Sequence, residues 1–443
     1  MKYKMSTSNV ERDKFSNKLG FILTCVGSAV GMGNIWLFPY RLGQYGGAAF
    51  LIPYTIFMIL FGCTGVVGEM AFGRAMRTGP LGAFSKALKL RGIKHGSLLG
   101  VIPLLGCLLI GIGYSVVVGW IIKFIVGSIT GSALSGNSIN YFQNMTGDFS
   151  SIPWHFIALA ITFITMIFGI SKGIEKLNKI VMPAFFIMFL LLAIFMFFVP
   201  GSTAGYTYLF KPDWTLLAAP KTWICALGQA FFSLSLAGSG TIIYGSYLSH
   251  NEDIVSCAGN VTIFSFVSSI LAALVIIPAV FSFGLSNELQ SGPPLMFITM
   301  PTIFKSLPMG QLISIVFFIA VLFAAITSLI NLFEAPVELL QTQFSLSRNK
   351  SVLIIALITS ICGIFIENAQ VVEFWMDVLS VYVVPLGAFL AGVMFFWVCG
   401  KNFAREQVQI GKNKKLGKWF EPMTRYVFIG LILIVYFLNI LIK

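Results

Sequence analysis

Three stretches of this chain set small residues, hydroxyls and an amide inside otherwise apolar runs. They are Gly27-Ser28-Ala29-Val30-Gly31-Met32-Gly33-Asn34, the run Phe231 to Gly240 with Ser233, Ser235, Gly238 and Ser239, and Ala324-Ala325-Ile326-Thr327-Ser328. The first holds three glycines in seven residues, each costing a helix about 0.8–1 kcal/mol relative to alanine, and Pro39 follows. Backbone groups freed at membrane depth are tolerated only where they are buried in protein or face a polar cavity. A helix broken at the midplane therefore predicts an ion or solute site. Blander readings exist: Gly27-x-x-x-Gly31 is also a helix-packing face, and Thr327 and Ser328 could bond carbonyls one turn earlier. The glycines do not form a GxGxxG nucleotide loop.

The elements that carry these stretches follow from composition. With 57% hydrophobic and 10% charged residues in 443, the chain is no soluble globule, which carries about 25% charged residues. Apolar segments at about 18–42, 47–72, 97–128, 154–170, 177–199, 221–248, 255–285, 310–343, 351–367, 374–399 and 426–442 predict an all-α polytopic membrane protein of about eleven helices. No removable signal peptide is expected before the first segment. The net charge of +13 could suggest nucleic acid, but 23 of the 29 lysines and arginines lie in 1–19, 73–96, 171–179, 348–350 and 401–425. These stretches share one side if the N-terminus is inside, which is the positive-inside pattern and puts the C-terminus outside. The basic 401–425 loop reads as a topology signal, with anionic-lipid contact as the other reading. The seven cysteines lie in apolar segments without metal-ligand spacing, so packed, reduced thiols are expected. In the outward loop 286–308, the flank Leu295 to Phe304 predicts a short re-entrant lid or a simple loop.

The second interrupted stretch lies five helices after the first and enters from the opposite face. Weak helices in corresponding positions of two halves are the signature of inverted repeats. The expected organisation is one transporter domain over 1–443: repeats 18–199 (helices 1–5) and 221–399 (helices 6–10), then helix 11 at 426–442.

Longer motifs carry a resemblance. Gly27 to Asn34 with Ile35-Trp36 and Phe38-Pro39-Tyr40, Gly46 to Tyr54, Gly68-Glu69-Met70 with Gly73-Arg74, Gly169 to Lys176, Pro212-Asp213-Trp214, Gln229 to Leu236, and Thr327-Ser328 with Glu334 resemble the neurotransmitter:sodium symporter family, in its bacterial branch with the leucine-transporter fold. The resemblance implies one sodium held by the Gly27, Val30 and Ala324 carbonyls and the Thr327 and Ser328 hydroxyls, an all-oxygen cage suited to a hard cation. It implies a second at the Ala29 carbonyl, Asn34, Ser233, Ser265 and the substrate carboxylate, which couples ion to solute. That carboxylate would rest on the Met32 and Gly33 amides with the Tyr114 hydroxyl. The ammonium would meet carbonyls around Phe232 and Ser235, with Phe232 closing over it. Ser28, Ile110, Gly238, Asn331 and Leu332 would shape the side-chain pocket. Smaller pockets in the family carry an aromatic residue at Gly238, so a bulky or aromatic amino acid is expected. Asn331 could bond a polar substrate group or serve as packing glue.

Three departures bear on the gates and on charge. Where the family has an outer-gate Arg stands Leu37, so a displaced pair between Arg41, one turn on, and Asp377 is expected. The inner gate resembles Arg12 with Phe15, but its acid on helix 8 falls at Thr342, leaving Glu338. On helix 7, where chloride-independent relatives carry an acid, stand Ser265 and Ser269. With Tyr54, Gln229 and Ser233 they match a chloride site, so chloride dependence is expected, with changed proton or ion stoichiometry as the competing reading.

The expected function is sodium-coupled import of an amino acid by alternating access, in a bacterial cytoplasmic membrane. The alternatives are a membrane receptor or sensor for the same solute, and a symporter of another small amine or osmolyte. An enzyme is not expected, because the intramembrane Glu69 and Glu334 lack a His or Cys partner, and His95, His155 and His250 fall near helix ends. The bland reading of both acids is a bond to backbone at the broken helices. Neither cofactor nor nucleic acid is expected; Na+ is the co-transported ion, and the motifs do not specify an oligomeric state.

Overall fold

The computed structural model describes residues 14–93, 96–147, 149–285 and 292–441, and among them there is no strand. All eleven apolar segments are helical. Seven are long and apolar enough to cross a membrane: α3 (Ala48–Met76), α4 (Leu98–Thr130), α6 (Ile170–Phe197), α9 (Ile254–Ser282), α11 (Gly310–Gln343), α13 (Ala369–Val398) and α14 (Phe420–Leu438). The pair α1 (Lys18–Ala29) and α2 (Gly33–Gln44) makes an eighth if counted as one bent span. The rest are shorter: α5 (Ile152–Ile167), the split α7 (Pro220–Ser233) and α8 (Gly240–Tyr247), and α12 (Arg348–Ile364).

Both interruptions fall where glycine and serine cluster. The last regular bond of α1 runs from the Val30 amide to the Val26 carbonyl at 2.7 Å. The axis then turns by 57°, and α2 restarts through a wide π-turn at Gly33–Leu37. Gly33 must lack a side chain, because a Cβ there would lie 2.4 Å from the Phe232 ring. The second break spans 234–239 and contains Ser235 at φ 51° and Gly238 at φ +70°. Left-handed backbone is natural for glycine and strained for serine. Glu69 of α3 supports this break, its Oε1 accepting the Gly238 amide at 2.8 Å.

Close packing of small residues holds the broken helices in place. On α3 a Cβ at Gly73 would sit 1.9 Å from the Ile242 carbonyl oxygen of α8, and one at Gly245 would sit 2.5 Å from the Met70 oxygen. The long α4 and α11 pack along each other; at about 1.5 Å rise per residue both exceed a bilayer core of about 30 Å. Buried Arg74 donates to the Glu252 carbonyl at 2.6 Å and to that of Gln407. At the junction of α4, α5 and the α12 end, buried His155 pairs with Glu367 at 2.8 Å and meets Ser115 at 2.8 Å. The 295–304 flank is no simple loop. It forms α10 (Leu295–Ser306), whose Phe297 stacks on Phe142 and Phe318. The cysteines are free, and no metal-binding cluster of His, Cys, Asp and Glu occurs among the described residues.

Candidate functional site

A cavity lies between the two breaks and α11. Of the residues expected to hold substrate, Ser28, Met32, Gly33, Ile110, Tyr114, Phe232, Ser235, Asn331 and Leu332 line it. Ser233 does not line it, and neither does Gly238. The positive φ of Gly238 turns its missing side chain to the Gly387 carbonyl oxygen, 2.3 Å from where a Cβ would stand. The expectation that Gly238 opens room for substrate therefore does not match its direction. Cys107, Ser239, Met376 and Val384 also face the cavity, and no motif in the chain singled them out. The Tyr114 hydroxyl accepts the Met32 amide at 3.0 Å. Asn331 donates its Nδ2 to the Ser28 hydroxyl, while its buried Oδ1 has no partner among the described residues.

Against one side of the cavity lies a cluster of oxygens joining α1 to α11. Thr327 Oγ1 is 2.9 Å from the Gly27 carbonyl and 3.0 Å from that of Ala324. Ser328 Oγ is 3.0 Å from the Gly27 carbonyl and 3.2 Å from that of Val30. All five oxygens expected around the first sodium thus converge. Without charge or nitrogen among them, this donor set suits a hard cation. Both back-bonding and cross-helix contact occur at Thr327, whose hydroxyl also lies 3.0 Å from the Phe323 carbonyl.

A second polar cluster joins the start of α2 to α7 and α9. Asn34 Nδ2 donates to Ser268 Oγ at 2.9 Å, Ser265 Oγ at 3.1 Å and the Ser265 carbonyl at 3.2 Å. Ser265 Oγ donates to the Ser233 carbonyl at 2.7 Å, and Gln229 Nε2 reaches Ser233 Oγ at 3.1 Å and the Gly33 carbonyl at 3.1 Å. Tyr54 and Ser269 share a 2.9 Å bond, and Ser269 donates to the Ser265 carbonyl at 3.2 Å. The cluster holds no acid. Ala29 lines the cavity beside it. Ser268 was missed in the sequence, although it lies one helical turn from Ser265 and so on the same face.

The gates differ from expectation. Arg41 lies near Tyr40, Tyr45, Cys225 and Asp377; among the described residues no direct Arg41–Asp377 ion pair forms. Arg12 and His95 lie outside the described residues. Phe15 packs edge-on against Phe21, Tyr244 and Tyr247. Glu338 accepts the Gly79 amide at 2.9 Å and the Thr78 hydroxyl at 3.2 Å. Glu334 binds side chains and not backbone: Arg348 grips it with bonds of 2.8 and 3.0 Å, and Tyr247 donates at 2.9 Å. Arg348 appeared in the sequence only as a topology charge.

The model of the sodium:neurotransmitter symporter family matches residues 12–147 and 136–443. The chain belongs to that family. Within it, the uncharacterized sodium-dependent transporter YhdH of Bacillus subtilis is 33% identical over 97% of both chains. A sodium-dependent neutral amino acid transporter, B(0)AT3 of Mus musculus, is 33% identical over 63% of this chain and 49% of its own. Among solved structures, MhsT in complex with L-phenylalanine superposes with a TM-score of 0.85 at 32% identity, covering 97% of this chain and 99% of that one. The family places the chain among sodium-dependent membrane transporters and not among enzymes, and the structure has the fold of this symporter family.

Proposed function

We propose that the protein is a sodium-coupled symporter of amino acids with large, preferably aromatic, side chains. One observation carries the reading: the cavity borders both oxygen clusters, with Ser328 and Asn34 belonging to its wall and to one cluster each. A sodium in either cluster fixes a cavity wall, so ion and solute each bind better when the other is present. The first sodium would take the five-oxygen cluster; the second would take Ala29, Asn34, Ser233, Ser265 and the substrate carboxylate. Chloride held by Tyr54, Gln229, Ser233, Ser265 and Ser269 would supply the negative charge that the second cluster lacks. The Met32 and Gly33 amides and Tyr114 would receive the carboxylate, with the apolar side chain among Ile110, Phe232, Leu332, Met376 and Val384. The phenylalanine bound to MhsT and the neutral amino acid relatives support this substrate class. The setting is a bacterial cytoplasmic membrane with the N-terminus inside, the segments 18–199 and 221–399 acting as inverted repeats.

The test is uptake of radiolabelled phenylalanine, tryptophan and leucine into proteoliposomes under an inward sodium gradient. Accumulation above equilibrium that collapses with the gradient is expected. Binding without accumulation would make the protein a sensor and overturn transport.

A further inference from the structure

Asn178 of α6 presents a buried acceptor that the sites described above do not use. The residue is 0% exposed, and its Oδ1 has no hydrogen-bond partner among the described residues. Its orientation is set by the other half of the amide, since Nδ2 donates to the Ile174 carbonyl at 2.8 Å; a flipped amide would oppose two oxygens there. Oδ1 therefore faces α1. It lies 2.1 Å from the point a Gly27 Cβ would occupy, and Thr327 Oγ1 lies 3.1 Å from the same point. Both oxygens thus crowd one side of Gly27, whose carbonyl belongs to the five-oxygen cluster.

A buried carbonyl oxygen without a partner is costly, and no donor among the described residues serves this one. The Thr327 hydroxyl hydrogen is already claimed by the carbonyls of Gly27, Phe323 and Ala324. The remaining neighbour is the glycine Cα–H, a weak partner. A cation in the adjacent cluster satisfies such an oxygen without needing a hydrogen. Ser328 lies on the cavity wall, whereas Asn178 does not. We infer that Asn178 Oδ1 is a further sodium-binding oxygen, contributed by α6 on the flank of the cluster away from the substrate. It sets how tightly that sodium is held without touching substrate. This rests on the sodium-cluster reading above.

The test is thermal stability of the purified full chain, titrated with sodium chloride at constant ionic strength with choline chloride. It is run with and without saturating phenylalanine, for the unsubstituted chain, Asn178→Leu and Asn178→Asp. In Asn178→Leu the half-saturating sodium is expected to rise about fivefold or more, with phenylalanine affinity at saturating sodium unchanged. In Asn178→Asp, which keeps an oxygen in place, it returns to or falls below the original value. If Asn178→Leu does not fold, an unchanged sodium midpoint in Asn178→Asp with a raised one in Asn178→Ala supports the proposal. Equal sodium midpoints in every folded variant would overturn it and leave Asn178 a packing residue. Absence of any sodium response in the unsubstituted chain would overturn this inference together with the cluster reading.

Discussion

The two polar clusters beside the cavity differ in how complete they are. The one between α1 and α11 gathers three carbonyls and two hydroxyls within 2.9–3.2 Å contacts, enough oxygen for a hard cation from protein alone. The one between α2, α7 and α9 is built from an amide and serines bonded to one another, with no acid. In the second cluster the Asn34 amide N–H groups already point at the serine oxygens, so fewer oxygens are free for a cation. On the function proposed above, the first ion would bind ahead of substrate, whereas the second would be completed by a substrate carboxylate and an anion.

The sharpest way to break that contrast is at the first cluster. Thr327→Val with Ser328→Ala removes both hydroxyls at near-constant volume. It should raise half-saturating sodium more than about 100-fold, since each charge-assisted contact contributes about 1.5–3 kcal/mol. Sodium-dependent thermal stabilisation without substrate reads this directly; a shift under threefold would place the ion elsewhere. A smaller effect is expected at the second cluster. Ser269→Glu puts a fixed charge beside Tyr54, so binding in sodium gluconate should rise to equal that in sodium chloride. A chain already indifferent to chloride before substitution would contradict the borrowed-charge account.

Smallest is the change at the cavity wall. Asn331 Oδ1 is buried without a partner among the described residues, and one added hydrogen bond stabilises by about 0.5–1.5 kcal/mol. Tryptophan and tyrosine should therefore bind about 3- to 10-fold tighter relative to phenylalanine than they do in Asn331→Leu. Competition binding on both chains checks this, and equal ratios would assign Asn331 to helix packing alone.

What could be read in the sequence was local. The breaks at 30–32 and 234–239 follow from glycines and serines in sequence, and the Thr327-Ser328 pair from one motif. What could not be read depended on direction or distance. Gly238 looked like an opening because a missing side chain suggests space, yet its φ of +70° aims that space at Gly387. Ser268 meets Asn34 across 234 residues, and Arg348 reaches back to Glu334 from the next helix. Helical spacing puts Ser268 on the face of Ser265 but does not say what that face meets, and the Arg348 contact leaves no periodic trace. The displaced outer pair does not form as a direct ion pair among the described residues: spacing along a helix gives Arg41 a face but no distance to Asp377.

The most direct test of coupling is the sodium dependence of substrate affinity, measured reciprocally. Calorimetric or thermal-shift titrations of phenylalanine or tryptophan at low and high sodium would be set beside titrations of sodium at low and high substrate. The account predicts that sodium tightens substrate and substrate tightens sodium by the same factor, about 5- to 150-fold for typical coupling. Substrate affinity indifferent to sodium, with potassium serving equally well, would contradict it.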